Sequence, residues 1–406
     1  MTRARAVALA AAAGLAAGSA IGCPGASSRS SVTPSDKPSR DDETRLAHMY
    51  SELEDDIFTS YERDEPPDLG TRAIDRRIGA ARIGAGPGDV YIAGDLARAP
   101  SRWPLDIDRS TRTEVRSKHL AIQIALDQTA GWMSDEVSWR IEMCGRSAVI
   151  PLRITALYAQ DGDRWVPVVE HLSFGFPPLP IATTPPRPIR AEVVSGRLRD
   201  QLQDVLVRGL FRTPHDPAAL AAQGVAAVVL GPDMADEWHG ERVPEARLPA
   251  GAFADPRVGV IGGTPDTATV AYWIGNYAAN PGSAGSAAGS TVRATHVFEK
   301  RWFEAPGGPS AASKSCHLED RDLRDRTDKA RDVAAHCRWV VVQSHMSLPI
   351  SDDELTRLVF GTALVSPKPL QLDCSDGSQP LLLPMAPGAG LRPGASQPGR
   401  PAAGTR

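Results

Sequence analysis

The sequence predicts an α+β protein built twice on one plan, a long amphipathic helix followed by an antiparallel sheet of long strands. Three observations predict it. RWVPVVEHLSF (164–174) returns as RWVVVQSHMSL (338–348), with Arg, Trp, two Val, His and Ser at the same offsets. Each copy closes a series of four strand-like runs that follows a helix-like stretch. A Pro-rich run, PPLPIATTPPRPIR (177–190), separates the two series. Chance produces an ordered set of matches far less easily than one recurring peptide, so the chain reads as an internal duplication.

The chain opens on a basic pentapeptide, MTRAR, and an apolar run of small residues, AVALAAAAGLAAGSAIG, which together form a secretory signal pattern over 1–22. It ends in Ala20-Ile21-Gly22-Cys23, which resembles a bacterial lipobox, where the Cys becomes the lipidated first residue. Ala20 stands where Leu is usual, and Pro24 is an unusual successor. The alternative is an ordinary signal peptide cut after Gly18-Ser19-Ala20, which leaves Cys23 a plain Cys. The expectation is an exported, lipid-anchored protein of the bacterial cell envelope, facing the periplasm or cell surface. No other apolar run reaches the ~18 residues that a membrane-spanning helix needs. Residues 23–40 are rich in Ser and Pro with scattered charge and read as a flexible tether. The net charge of −4 gives no electrostatic case for nucleic acid.

The first block (41–176) begins with DDETRLAHMYSELEDDIFTSYER. Its Leu46, Met49, Tyr50, Leu53, Ile57 and Tyr61 recur at spacings of three and four. Its strands are KHLAIQIAL, QTAGWMSDEVSWRIEMC, SAVIPLRITALYA and RWVPVVEHLSF, joined by short Asp- and Gly-bearing turns that predict hairpins. After the linker (177–188), the second block (189–365) begins with RAEVVSGRLRDQLQDVLVRGLF, with Val194, Leu198, Leu202, Val205, Leu206 and Leu210 in the same rhythm. Its strands are PRVGVIGG, TATVAYWIGNYAA, STVRATHVFEKRW and CRWVVVQSHMSL, with an insertion near 304–336. Arg153 and Thr155 match Arg293 and Thr295 in the third runs. From Pro384 the chain is rich in Pro, Gly, Ala and Arg without apolar period, and 366–406 reads as a largely disordered tail.

The helix-then-sheet plan, PLRITALYAQDGDRWVPVVEHLSFG above all, resembles the SnoaL-like branch of the nuclear-transport-factor-2-like superfamily. DVYIAGDLARAPSRW and VVLGPDMADEWHG look like the strand and Trp loop that precede the sheet in such domains. The resemblance implies two cone-shaped domains, each a curved sheet wrapped on its N-terminal helix. The helix usual after the Trp loop is hard to find in STRTEVRSKH and ARLPAGAFADP.

Alternation along the last strand puts Trp165, Val169, His171 and Ser173 on one face, and Trp339, Gln343, His345 and Ser347 on its counterpart. If those faces line the cones, Trp165, His171, Ser173, Trp339, His345 and Ser347 form two candidate pockets. The alternative is that His and Ser satisfy one another or nearby backbone. A His near a Ser is no catalytic dyad without an orienting acid and an oxyanion site, so no catalytic residue is assigned. A two-residue turn at Asp161-Gly162 sets Arg153 opposite Glu170 as an ion pair, which a bulge there would break. Arg293 faces no equivalent acid. Asp95 and Asp233 match in position but sit beside Gly or Pro, as turn residues do.

Of five Cys, Cys316 and Cys337 flank the insertion beside His317 and His336. A Cys316–Cys337 disulfide is the preferred reading in an oxidising compartment, over zinc held by those four residues. Cys144 and Cys374 are left open. No cofactor is expected. The expected partners are a small apolar ligand or an envelope protein, the membrane through the lipid anchor, and a homodimer mate through the sheet faces. The expected role is non-catalytic binding, and the alternative is an isomerase or cyclase acting on a cyclic or polyketide-like substrate.

Overall fold

In this computed structural model, strand alternation and turn chemistry build two mixed sheets of the same strand order, each covered by helix. The structure describes residues 40–63, 81–92, 113–143, 145–162, 164–175, 186–211, 219, 227–231, 237–239, 256–278, 291–304, 310–311, 314–361, 364–367 and 370–372. Cys23, Asp95, Cys144, Asp233, Cys374, the signal, the tether before Arg40, most of the linker and residues 246–255 lie outside them, whereas STRTEVRSKH, where a helix after the Trp loop was sought, forms a strand over Thr113–Ser117.

The first repeat runs α1 (Arg40–Arg63), β1 (Ala81–Ile83), β2 (Val90–Ile92), β3 (Thr113–Ser117), β4 (Ala121–Ile124), β5 (Ala130–Met143), β6 (Arg146–Asp161) and β7 (Arg164–Phe174). Its sheet order is β2-β1-β7-β6-β5-β3, with β4 also on β5. The β5–β6–β7 meander follows the predicted hairpins, and Gly145 and Gly162 take the positive φ their tight turns require (67° and 66°). One feature was not foreseen: β1 adds to β7 in parallel, pairing Ile83 with His171.

The second repeat opens with β8 (Glu192–Val193) and α2 (Gly196–Leu206), which a π turn (Val207–Phe211) extends. The helix therefore starts later than its apolar rhythm suggests, because Ser195 caps it, its hydroxyl accepting from the Leu198 amide at 3.3 Å. Then come β9 (Val228–Leu230), β10 (Glu237–His239), β11 (Arg257–Ile261), β12 (Val270–Ala278) and β13 (Thr291–Phe303). The insertion contributes β14 (Ser310–Ala311), α3 (Asp320–Arg324) and α4 (Asp328–His336) before β15 (Cys337–Ser347). The sheet order is β10-β9-β15-β13-β12-β11-β8, and β9 again joins the last strand in parallel, with Leu230 opposite His345. The chain continues into α5 (Asp352–Phe360), β16 (Leu364–Pro367) and β17 (Leu370–Leu372).

The core has three main parts. Met49, Leu53, Ile57 and Tyr61 of α1 pack on the first sheet, whereas Leu46 and Tyr50 of the same predicted stripe are exposed. Leu198, Leu202, Val205, Leu206 and Leu210 pack on the second sheet. The third part is a seam where the two sheets meet face to face: Ile83, Trp132, Leu157 and Val169 of the first repeat against Val270, Tyr272, Val297 and Val342 of the second. The second block also lends the first repeat a helix. α5 lies within the block carried to 365, yet Leu355, Leu358, Val359 and Phe360 sit in the first repeat's core. The Ile350 amide donates to the Ala85 carbonyl at 3.0 Å.

Candidate functional site at the seam

A β-bulge decides where each sequence-predicted residue goes. In β7 the register on β6 shifts between Leu157 and Tyr158, leaving Val168 as the extra residue. In β15 it shifts at the equivalent point, between Val297 and Phe298, leaving Val342 extra. A bulge reverses the side-chain parity of the strand beyond it. The simple alternation expected for these strands is therefore corrected: Trp165 and Trp339 do not share a face with the His and Ser that follow them. Trp165 points into the core under α1 and donates its indole N–H to the Met49 carbonyl at 3.1 Å. Trp339 joins the core under α2. His171, Ser173, His345 and Ser347 turn the other way, into the seam, so the six residues do not line two cone interiors.

At the seam the His rings stack on each other, centroids 3.9 Å apart and planes inclined by 20°. Both nitrogens of each ring meet hydroxyls of the opposite repeat. His171 Nε2 pairs with Ser347 Oγ at 2.7 Å, and its Nδ1 with Thr295 Oγ1 at 3.1 Å. His345 Nε2 pairs with Ser173 Oγ at 2.8 Å, and its Nδ1 with Thr155 Oγ1 at 2.9 Å. The arrangement is reciprocal, as a two-fold axis between the repeats requires. A hydroxyl can donate or accept, so a neutral imidazole of either tautomer satisfies both its nitrogens here. Both rings are fully buried. Burial, then the charge of the neighbouring His345, pulls His171 well below the ordinary imidazole range. Burial, then Arg153, pulls His345 down to about 3.

The two matched arginines obey the same reciprocity. Arg153 does not meet Glu170 as the two-residue turn at Asp161-Gly162 predicts. Asp161 pairs with Arg164, and the bulge adds a further step, so Arg153 falls opposite Ser173. Glu170 instead pairs with Arg82 of β1 at 3.4 Å, both buried. Arg153 lies 3.8 Å from Glu136 and donates across the seam to the Gly231 carbonyl at 3.4 Å. Arg293, left without a role by sequence, donates back across the seam to the carbonyls of Gly84 (3.1 Å), Gly86 (2.6 Å) and Pro87. Gly84 follows β1 as Gly231 follows β9, so the exchange is symmetric. Gln343 adds a bond to the Met133 carbonyl at 2.7 Å, and Glu299 accepts from the Leu126 amide at 2.9 Å.

Cys316 and Cys337 are joined as a disulfide across a sequence separation of 21. The adjacent histidines go elsewhere. His336 stacks on Trp302 at 4.7 Å, and His317 lies 3.7 Å from Asp127. Among the described residues, no group of three or more His, Cys, Asp or Glu is placed to hold a metal ion, and no helix is long and apolar enough to cross a membrane.

Two buried polar pairs away from the seam escaped the sequence reading, because each exists in one repeat only. Asp135 on β5 accepts from the Tyr61 hydroxyl at 3.0 Å and the His119 amide at 3.2 Å, and burial raises its pKa against those bonds. His296 on β13 pairs with Ser344 Oγ at 2.9 Å.

No family model matches the chain, and no curated protein matches it. Among solved structures it is similar to the Chlamydamonas reinhardtii CamKII hub homology domain, at 12% identity over 32% of this chain and 93% of that one, with a TM-score of 0.20. At that score the likeness carries no argument about architecture or activity.

Proposed function

We propose that the chain is a fused pseudo-dimer of two SnoaL-like domains of the nuclear-transport-factor-2-like type, exported and lipid-anchored through Cys23. Its role is non-catalytic binding of a small apolar molecule or partner protein at the cell envelope. One observation carries the non-catalytic reading. The His-x-Ser motif, the most chemical element common to both repeats, is consumed in fastening them, since all four ring nitrogens of His171 and His345 bond hydroxyls of the opposite repeat. A base whose nitrogens are occupied and whose ring is fully buried has no access to a substrate. The sheet face that would serve a homodimer meets its counterpart within the same chain.

Expression of the whole precursor in a bacterial host tests this. The wild type is expected in the membrane fraction and Cys23→Ser in the soluble fraction. Native mass spectrometry of the detergent-released protein should show a co-purifying small molecule or protein. An unmodified, wholly soluble wild type that carries nothing would sink the reading. Asp135 favours a second reading, an isomerase or cyclase acting on a cyclic or polyketide-like substrate. A buried carboxylate of raised pKa held by a Tyr hydroxyl is the acid–base equipment such chemistry needs.

A further inference from the structure

The outer side of α1 carries apolar side chains that its packing does not need. Met49, Leu53, Ile57 and Tyr61 seal the first core, yet Leu46, Tyr50 and Phe58 stay 43%, 39% and 39% exposed. They are three of the five large apolar side chains left exposed among the described residues. One such residue needs no explanation, whereas a row on one helix does. With the half-buried Glu54 they fall at i, i+4, i+8 and i+12, a single ridge along the helix surface. A ridge of that spacing fits the groove of a second helix, and from Leu46 to Phe58 it runs about 18 Å. The fold does not demand it. α2, the counterpart helix, exposes Arg197, Asp200, Gln201 and Asp204 but no large apolar side chain.

The charge along this ridge is of one sign. Glu43, Glu54 and Asp55 each stand three or four residues from an apolar member of the ridge, the spacing of neighbours on a helix. None of the three forms an ion pair among the described residues. Arg45 and His48 lie on the other flank of the buried stripe, where His48 meets Glu52 at 3.2 Å. The crowding shows in the neighbouring groups. Burial, then Glu52 and Asp55, raises Asp56, and burial, then Glu54, raises Tyr50. A cation placed here would relieve that repulsion. An anionic bilayer surface would add to it, so the occupant is a polypeptide and not lipid.

We propose that the outer ridge of α1 is a docking surface for another protein, and that the element it takes is a basic amphipathic helix. The apolar residues of that helix seat against Leu46, Tyr50 and Phe58, and its Lys or Arg side chains meet Glu43, Glu54 and Asp55. This rests on the partner-protein side of the function proposed above, and it gives the partner a chemistry and a place. The aromatic side chains supply contact area, and the carboxylates select against acidic partners.

The probe is a synthetic amphipathic helix of Leu and Lys, about 16 residues long, labelled with a fluorophore and titrated into the full chain. Saturable binding that weakens with added salt is expected, with slower amide exchange in α1. The same peptide with Glu for Lys should not bind. Tyr50→Ser with Phe58→Ser removes two exposed anchors and should weaken binding about tenfold. Should that variant not fold, Glu54→Lys reverses the charge within the ridge, and a similar loss is expected. Asp200→Lys makes the same kind of charge change on exposed α2 and should leave the affinity unchanged. An equal loss with Asp200→Lys would mean attraction to net charge alone and would overturn the surface. So would no binding, equal affinity in the folded Tyr50→Ser, Phe58→Ser variant, or exchange slowed only outside α1. A full chain that dimerises by itself through this ridge would replace the proposed occupant with a second copy. The parent reading fails or stands separately: a protein that co-purifies equally with wild type and with Glu54→Lys would sustain binding and strike out this ridge.

Discussion

His171 has two hydroxyl partners and one ring partner, and all three belong to the other repeat. His171→Ala would strand the Thr295 and Ser347 hydroxyls in a dry seam and leave a cavity beside His345. We expect a loss of about 2–4 kcal/mol, read from denaturant unfolding of the full chain. Because His345 is stacked on the lost ring, His171→Ala and His345→Ala should not add. A double-mutant cycle should return a coupling of about 1 kcal/mol or more. Additive losses would mean that the rings act independently. The motif behind this arrangement was legible in the sequence, but its orientation was not. Val168 and Val342 look like any strand residues, and a bulge depends on the register between two strands, which one strand's pattern does not encode. That single extra residue sends Trp165 to the helix and His171 to the seam.

At the scale of elements, the eight long strand runs and both leading helices were legible because hydrophobic period and turn residues act locally. The short parallel strands β1 and β9 were not set on the last strands, since parallel pairing is fixed by distant chain segments. α5 was equally hidden: its apolar residues report that it is buried, not against which repeat. Its packing gives a direct prediction. Phe360→Ala, although far past the second repeat's last strand, should cost about 3–5 kcal/mol and first increase hydrogen exchange in α1 and β6 of the first repeat. Exchange raised only in the second repeat would contradict the packing. The insertion should behave differently. Removing the Cys316–Cys337 bridge by a double Cys→Ala exchange should cost about 3 kcal/mol, with the earliest exchange in α3 and α4. Their satellite core of Trp302, Cys316, Leu318 and Val333 is small and separate from the seam, so β7 should keep its protection.

For the whole molecule, the seam joins two repeats through uncharged imidazoles, and this makes cohesion depend on pH. Burial lowers His171, His345 and His296 below the ordinary value, the last two to about 3. In the unfolded chain an imidazole takes up its proton near pH 6.5. Below that pH the unfolded state binds more protons than the folded one, so stability is full above it and falls on acidification until the folded pKa is reached. Asp135 and Glu299, raised by burial, act in the opposite sense, starting from the lower ordinary values of carboxylates. Between pH 7.5 and 5.5 the imidazoles should therefore dominate, at about 1.4 kcal/mol each and roughly 4 kcal/mol together. Protonation of either stacked ring would also set a cation at van der Waals distance from the other, with Arg153 and Arg293 already buried nearby. The full chain's unfolding free energy, measured across this range, should fall steeply. With His171→Gln and His345→Gln, which keep polar groups but do not titrate, about a third of that fall should remain, the part that belongs to His296. A wild type with flat stability from pH 7.5 to 5.5 would mean that the seam opens or admits water before its histidines are protonated.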